Sequence, residues 1–156
     1  MFLKSLLVVS LLAVSTPAAL ACTKPKQASA METEMIGWIN AQRKARGLAV
    51  LSKNGSLSKA AQQHACDMAD RGYFAHQRAG GPDMGQRIKS NGYRYRSAAE
   101  NIAKMGSPDV NKAAMIWKNS SGHWSNILKT NVRDIGIGLA VAGGKYYWVM
   151  NVGRSK

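Results

Sequence analysis

Two imidazoles and one carboxylate stand out along this chain, because it holds 3 histidines and only 8 acidic residues among 156. His76 closes the segment Gly72-Tyr73-Phe74-Ala75-His76. Glu100 interrupts the short run Ala98-Ala99-Glu100-Asn101-Ile102-Ala103, and His123 follows Trp117-Lys118-Asn119-Ser120-Ser121-Gly122. Imidazole nitrogens with a nearby carboxylate suit Zn2+ or another divalent cation, weakly bound, with water completing the coordination. His76, Glu100 and His123 are the candidates to surround such an ion. The separations along the chain, 24 and 23 residues, match no local metal motif such as His-Glu-x-x-His. Without a fold that gathers them, each histidine has an ordinary structural role as its plain alternative.

The elements that must position these residues are read from periodicity. Met31, Met35, Trp38, Ile39 and Ala45 share one face of a helix over 31–46, with Gly47 suited to the position after its end. A second helix is capped by Ser56, carries Leu57, Ala60, Ala61, His64, Ala65 and Met68 as its apolar stripe, and ends at Gly72. His64 therefore reads as a core histidine. A short helix over 84–91 stops at Gly92, and Ser107-Pro108 opens a fourth helix over 109–119, leaving His123 on the turn after it. Strands are expected at 98–103, at 135–141, where Gly136, Gly138 and Ala140 keep one face small, and at 146–152 after the turn Ala142-Gly143-Gly144-Lys145. Helices on both sides of a small antiparallel sheet make an α/β, three-layer α-β-α sandwich, in one domain over 31–156 behind a polar lead-in, 22–30.

Residues 1–21 combine Lys4, an apolar stretch and a small-residue end, Ala19-Leu20-Ala21, as a secretory signal peptide does. The apolar part is short for a bilayer span, and no transmembrane segment is expected after its removal. Export places the protein in the periplasm or outside the cell. Cleavage after Ala21 exposes Cys22, which raises lipid anchoring, although Ala19-Leu20-Ala21 is a poor lipoprotein signal. Cys66 falls opposite the apolar stripe of the second helix, and an outward thiol in an oxidising compartment has one partner available. A Cys22–Cys66 disulfide is the expectation; lipidation and two free thiols are the alternatives. The whole chain carries 22 Lys and Arg against 8 Asp and Glu, a formal +14, and losing Lys4 with the signal leaves +13. Such a charge favours anionic envelope components as partners. Nucleic acid is not among the expected partners: the basic residues are scattered, and Arg43-Lys44 with Arg46 and Arg94 with Arg96 sit in no recognised motif.

Trp117-x-x-Ser120-x-Gly122-His123, Gly72-Tyr73-Phe74-Ala75-His76 and Glu100-Asn101-Ile102-Ala103 resemble the signature segments of the CAP superfamily. These are the cysteine-rich secretory proteins, antigen 5 allergens and pathogenesis-related proteins. The likeness extends over nearly all the chain after residue 30 and is greatest to the short, single-domain bacterial branch. It takes in Ile39-Asn40-Ala41-Gln42-Arg43 with Gly47-Leu48, the second helix, Gly92-Tyr93, Asn126-Ile127-Leu128, Ile135-Gly136-Ile137-Gly138 and Tyr147-Trp148-Val149.

The resemblance implies an α-β-α sandwich with a surface cleft lined by two histidines and two acids. His76 and His123 match the histidines and Glu100 the first acid; brought together by that fold, the two histidines would be the metal ligands, with Glu100 near a bound water. The second acid of many eukaryotic members is Ser120 here. With one carboxylate, general acid and general base roles cannot be divided between two. The leading reading is an exported monomeric protein binding a small apolar or lipid ligand, an envelope component or a divalent metal, without established catalysis. Ser120, Trp124 and Tyr73 are the ligand-contact candidates, with Phe74 and Met105 close to them in sequence. The alternative is a metal-dependent hydrolase, peptidase-like, using His76, Glu100 and His123 as catalytic residues. A Ser120–His123–Glu100 relay is disfavoured, since no Gly-x-Ser-x-Gly elbow surrounds Ser120.

Overall fold

A computed structural model describes residues 22–156, so the signal-peptide reading of 1–21 lies outside the described residues. In chain order the elements are α1 (Ala28–Lys44), β1 (Ser52–Lys53), α2 (Gly55–Arg71), α3 (Met84–Ser90), β2 (Tyr95–Met105), α4 (Val110–Lys118), α5 (Ser121–Ile127), β3 (Asp134–Ala142) and β4 (Lys145–Ser155). The sheet order is β1-β3-β4-β2. β3, β4 and β2 are antiparallel neighbours, as expected, and the two-residue β1 adds a parallel pairing to β3 that the sequence did not announce. The α-β-α sandwich stands.

Alternation along the strands divides the core between two faces. Ile135, Ile137 and Leu139 of β3 and Trp148, Met150 and Val152 of β4 pack with Met35 and Ile39 of α1 and with Ala113, Ala114 and Trp117 of α4. The opposite side chains, Ala140, Tyr147, Val149 and Ile102, meet Ala61, Ala65 and Met68 of α2. Gly136 and Gly138 let α2 lie directly on β3: a Cβ on Gly136 would stand 2.2 Å from the Leu57 carbonyl carbon, and one on Gly138 2.3 Å from the Gln62 nitrogen. The outer edge of β3 beyond β1 is covered, which blunts an otherwise open ladder. The Gln62 side-chain amide donates to the Leu139 carbonyl and accepts from its N–H, while the Val141 N–H donates to the Thr23 carbonyl.

Several boundaries differ from the sequence expectation, each for a local reason. α1 begins at Ala28, because buried Ala28 extends the apolar face one turn into the presumed lead-in. Asn54, not Ser56, caps α2, its side-chain oxygen accepting from the N–H groups of Ser56 and Leu57. Asp109, not Ser107, caps α4 through the Lys112 N–H, so Pro108 lies before the helix. The turn expected around His123 is the helix α5, which Ser120 caps. β2 runs 11 residues, well past 98–103. The turn at Gly143 and Gly144 is as expected: both have positive φ, 54° and 69°, which a two-residue hairpin loop requires.

Candidate functional site

Glu100 sits on β2, the strand at one edge of the sheet, with its side chain on the α2–α3 face. That side chain is 2% exposed, and a buried carboxylate needs every lone pair answered. Arg87 of α3, itself buried, answers first: its Nη2 donates to both oxygens, at 3.0 and 2.9 Å. His76 Nδ1 donates to Oε1 at 2.9 Å. Asn151 of β4, with its amide oriented by its neighbours, donates to Oε2 at 3.1 Å and accepts from the Ala61 N–H at 3.2 Å. His64 Nε2 donates to the Ala75 carbonyl at 3.0 Å and stands 3.8 Å from Oε1. Burial holds the His64 imidazole below its usual range, against the pull of Glu100, so the ring is neutral at neutral pH.

These contacts fix His76 as a tautomer. With Nδ1–H directed at a carboxylate, a neutral ring presents its lone pair on Nε2, and the side chain is 55% exposed. His123 enters from the other side of the strand. The Asn101 amide of β2 donates to the His123 carbonyl at 2.9 Å. Asn126 of α5 donates to the Asn101 side chain at 2.9 Å and to the Glu100 carbonyl at 3.3 Å. Ser120 Oγ accepts from the His123 N–H at the head of the helix. Burial, then the His76 imidazole across the strand edge, hold His123 below the usual range, and its buried Nδ1 has no hydrogen-bond partner.

The donor set decides what a metal would find. Among the described residues no three His, Cys, Asp or Glu side chains converge as ligands. Glu100 is held by Arg87, His76 and Asn151, so its oxygens are not free to coordinate. The Glu100–His76 pair is the carboxylate–imidazole arrangement that orients a metal-binding ring. The donors left for a zinc-like ion are two imidazoles, His76 through Nε2 and His123, a set that would need water to complete it.

The other candidates fall elsewhere. Ser120 serves as the cap. The Trp124 ring packs 6.2 Å from that of Trp38, with the Arg46 guanidinium 4.9 Å above it, on the α1 side. Tyr73 donates to Asp67 Oδ2 at 2.6 Å, and burial together with that bond pushes its hydroxyl up to about 12. Tyr73, His64, Asp67, Arg78 and Arg87 line a cavity of about 240 Å3 between α2 and α3, which His76, Glu100 and His123 do not line. Phe74 is exposed beneath the Lys104 ammonium.

Sequence reasoning missed Arg87, Asn101, Asn126 and Asn151, and set His64 aside as core, where it also touches the site. Arg87 carries no motif; its role follows from α3 lying against β2. Asn101 and Asn126 were visible as signature residues, but not as a bridge.

The family model for the cysteine-rich secretory protein family, CAP, matches residues 37–152, a span that includes all three site residues. The chain belongs to this family. YkwD, an uncharacterized protein of Bacillus subtilis, is 40% identical over 122 residues, 76% of this chain and 46% of that protein. An extracellular SCP-domain protein of Bacillus anthracis superposes with a TM-score of 0.74 at 27% identity, covering 83% of this chain and 42% of the other. An outer surface protein of Borrelia burgdorferi shares the fold, with a TM-score of 0.78 at 21% identity over 87% of this chain and all of its own. The chain thus spans under half the length of YkwD and of the anthracis protein, and the shared part is the CAP domain.

Cys22 and Cys66 form a disulfide, with Cα atoms 5.2 Å apart. The Cys22 sulfur is thereby unavailable to a lipid thioether. Cys66 is half-buried, packed with Cys22 against the α2 side of the core. No helix among the described residues is long and apolar enough to cross a membrane.

Proposed function

We propose that this chain is an exported CAP-domain binding module. Its His76/His123 edge takes a weakly held divalent cation at the cell envelope, without turnover. One observation carries the reading: both oxygens of Glu100 are engaged by Arg87, His76 and Asn151. The Glu100 carboxylate is therefore not free to take a proton from water and orients an imidazole instead, so a hydrolase here would have to use His76 as its base. Ser120 is engaged as a helix cap, which counts against a serine relay. A divalent cation bound between the imidazoles would supply Lewis-acid polarisation of a ligand oxygen. Export is read from residues 1–21 and supported by the disulfide, which persists in oxidising compartments. The excess of basic over acidic residues supports contact with anionic envelope material.

The experiment is a zinc titration of the purified protein with peptide and ester cleavage measured at each step. Saturable zinc binding that is lost in His76→Ala and His123→Ala, with no cleavage above background, is the expected result. Zinc-dependent turnover abolished by the same substitutions in a folded protein would replace the binding reading with the metal-dependent hydrolase.

A further inference from the structure

Basic residues that look scattered in sequence are collected by the fold at one corner of the sheet. β2 begins with Tyr95 opposite Ser155 near the end of β4, and the Lys156 N–H donates to the Arg94 carbonyl at 3.0 Å. That pairing sets Arg94 and Arg96 beside Arg154 and Lys156. The register shifts between Tyr95 and Ser97, so Arg96 occupies a bulge, and its Nε–H donates to the Ser155 carbonyl at 3.3 Å. Lys89, near the end of α3, holds its ammonium 5.7 Å from the Tyr95 ring centroid. Lys89, Arg94, Tyr95 and Lys156 line a recess of about 340 Å3. All five cationic side chains are exposed, and among the described residues none has a carboxylate within ion-pair distance.

We propose that this corner docks a hydrophilic polyanion that carries phosphate or carboxylate groups at intervals and no bases, an envelope polymer by its chemistry. The inference rests on the reading that the protein meets anionic material outside the cytoplasm, and adds where and what kind. Five cations with no acidic side chain paired to them repel one another, and a polyanion relieves that repulsion while releasing its own counterions. The recess seats one oxyanion between Lys89, Arg94 and Lys156; Arg96, its Nε–H on the Ser155 carbonyl, stands at the adjoining bulge for the next along the polymer. A lipid surface fits less well, because the exposed large apolar side chains, Val50, Phe74, Met115 and Ile116, all lie on other elements. Single-stranded nucleic acid needs a bare aromatic face for base stacking, and Lys89 covers the face of Tyr95.

The test measures binding of a poly(glycerol phosphate) oligomer to the protein across a salt series. The variants are a Lys89→Gln/Arg94→Gln/Lys156→Gln triple and a control triple, Lys44→Gln/Lys59→Gln/Lys118→Gln, which removes equal charge from exposed positions elsewhere. The corner triple should bind about tenfold more weakly at low salt with a shallower salt dependence, while the control stays within about twofold of wild type. Thermal unfolding of both triples should match wild type, since every substituted side chain is exposed. Equal loss in the two triples overturns the corner and leaves the anionic-partner reading standing. Absence of binding by wild type overturns both. Tighter binding to phosphatidylglycerol vesicles, or to an oligonucleotide of equal charge, overturns the choice of partner. His76→Ala run alongside keeps the oligomer affinity unchanged, which separates this surface from the imidazole edge.

Discussion

Glu100 determines the chemistry available here, and Arg87 determines the state of Glu100. Each is buried, so removing the guanidinium strands a charge. Arg87→Ala is predicted to lower unfolding stability by about 3 kcal/mol in denaturant titration, and Glu100→Gln on top of it should recover part of that loss. His64, like His123, makes stability depend on pH. Its folded value lies below the ordinary imidazole value of 6.5, so the unfolded chain binds more protons on the acid side. Stability from this residue is complete above 6.5 and declines as pH falls from there toward the lowered value. Urea midpoints measured through that window should fall for wild type and fall less steeply for His64→Gln. Of this site, the sequence displayed the histidines and the acid because their types are rare. It hid Arg87, one of many cations with no local pattern to mark it, and Asn151, whose role depends on a cross-strand position.

Positioning is done by elements. Gly136 and Gly138 bring α2 onto the backbone of β3, which sets the depth at which His64 and Ala61 reach the Glu100 cluster. Gly138→Ala is predicted to cost about 2 kcal/mol or more, because the new carbon meets main-chain atoms of α2 that cannot swing aside. Differential scanning calorimetry checks it, and an unchanged midpoint would show that the layers are free to separate. The alternation of Gly136, Gly138 and Ala140 with Ile135, Ile137 and Leu139 was readable as a strand with one small face. What that face receives was not, since a helix lying this close is a tertiary fact. The helix α5 escaped notice for a different reason: with 7 residues and one buried side chain, Ile127, it has no stripe to read. Its cap, Ser120, is the one local signal it carries.

At the scale of the molecule, the disulfide closes a 44-residue separation and pins the segment before α1 over the edge of β3. Cys22→Ser is predicted to lose about 3 kcal/mol of stability and to leave Cys66 reactive to thiol reagents. Intact mass of the native protein should show two hydrogens fewer than the reduced chain and no diacyl increment. Two faces of the molecule are then available for different partners, the imidazole edge of β2 and the cationic corner where β2 begins.

The account depends above all on two distant imidazoles sharing one small volume. Zinc titrated into protein carrying 15N-labelled histidine, followed by the ring nitrogen resonances, tests this directly. The nitrogens of His76 and His123 should move together along one saturation curve while those of His64 stay still. Separate curves for His76 and His123, or a response confined to one of them, would contradict it.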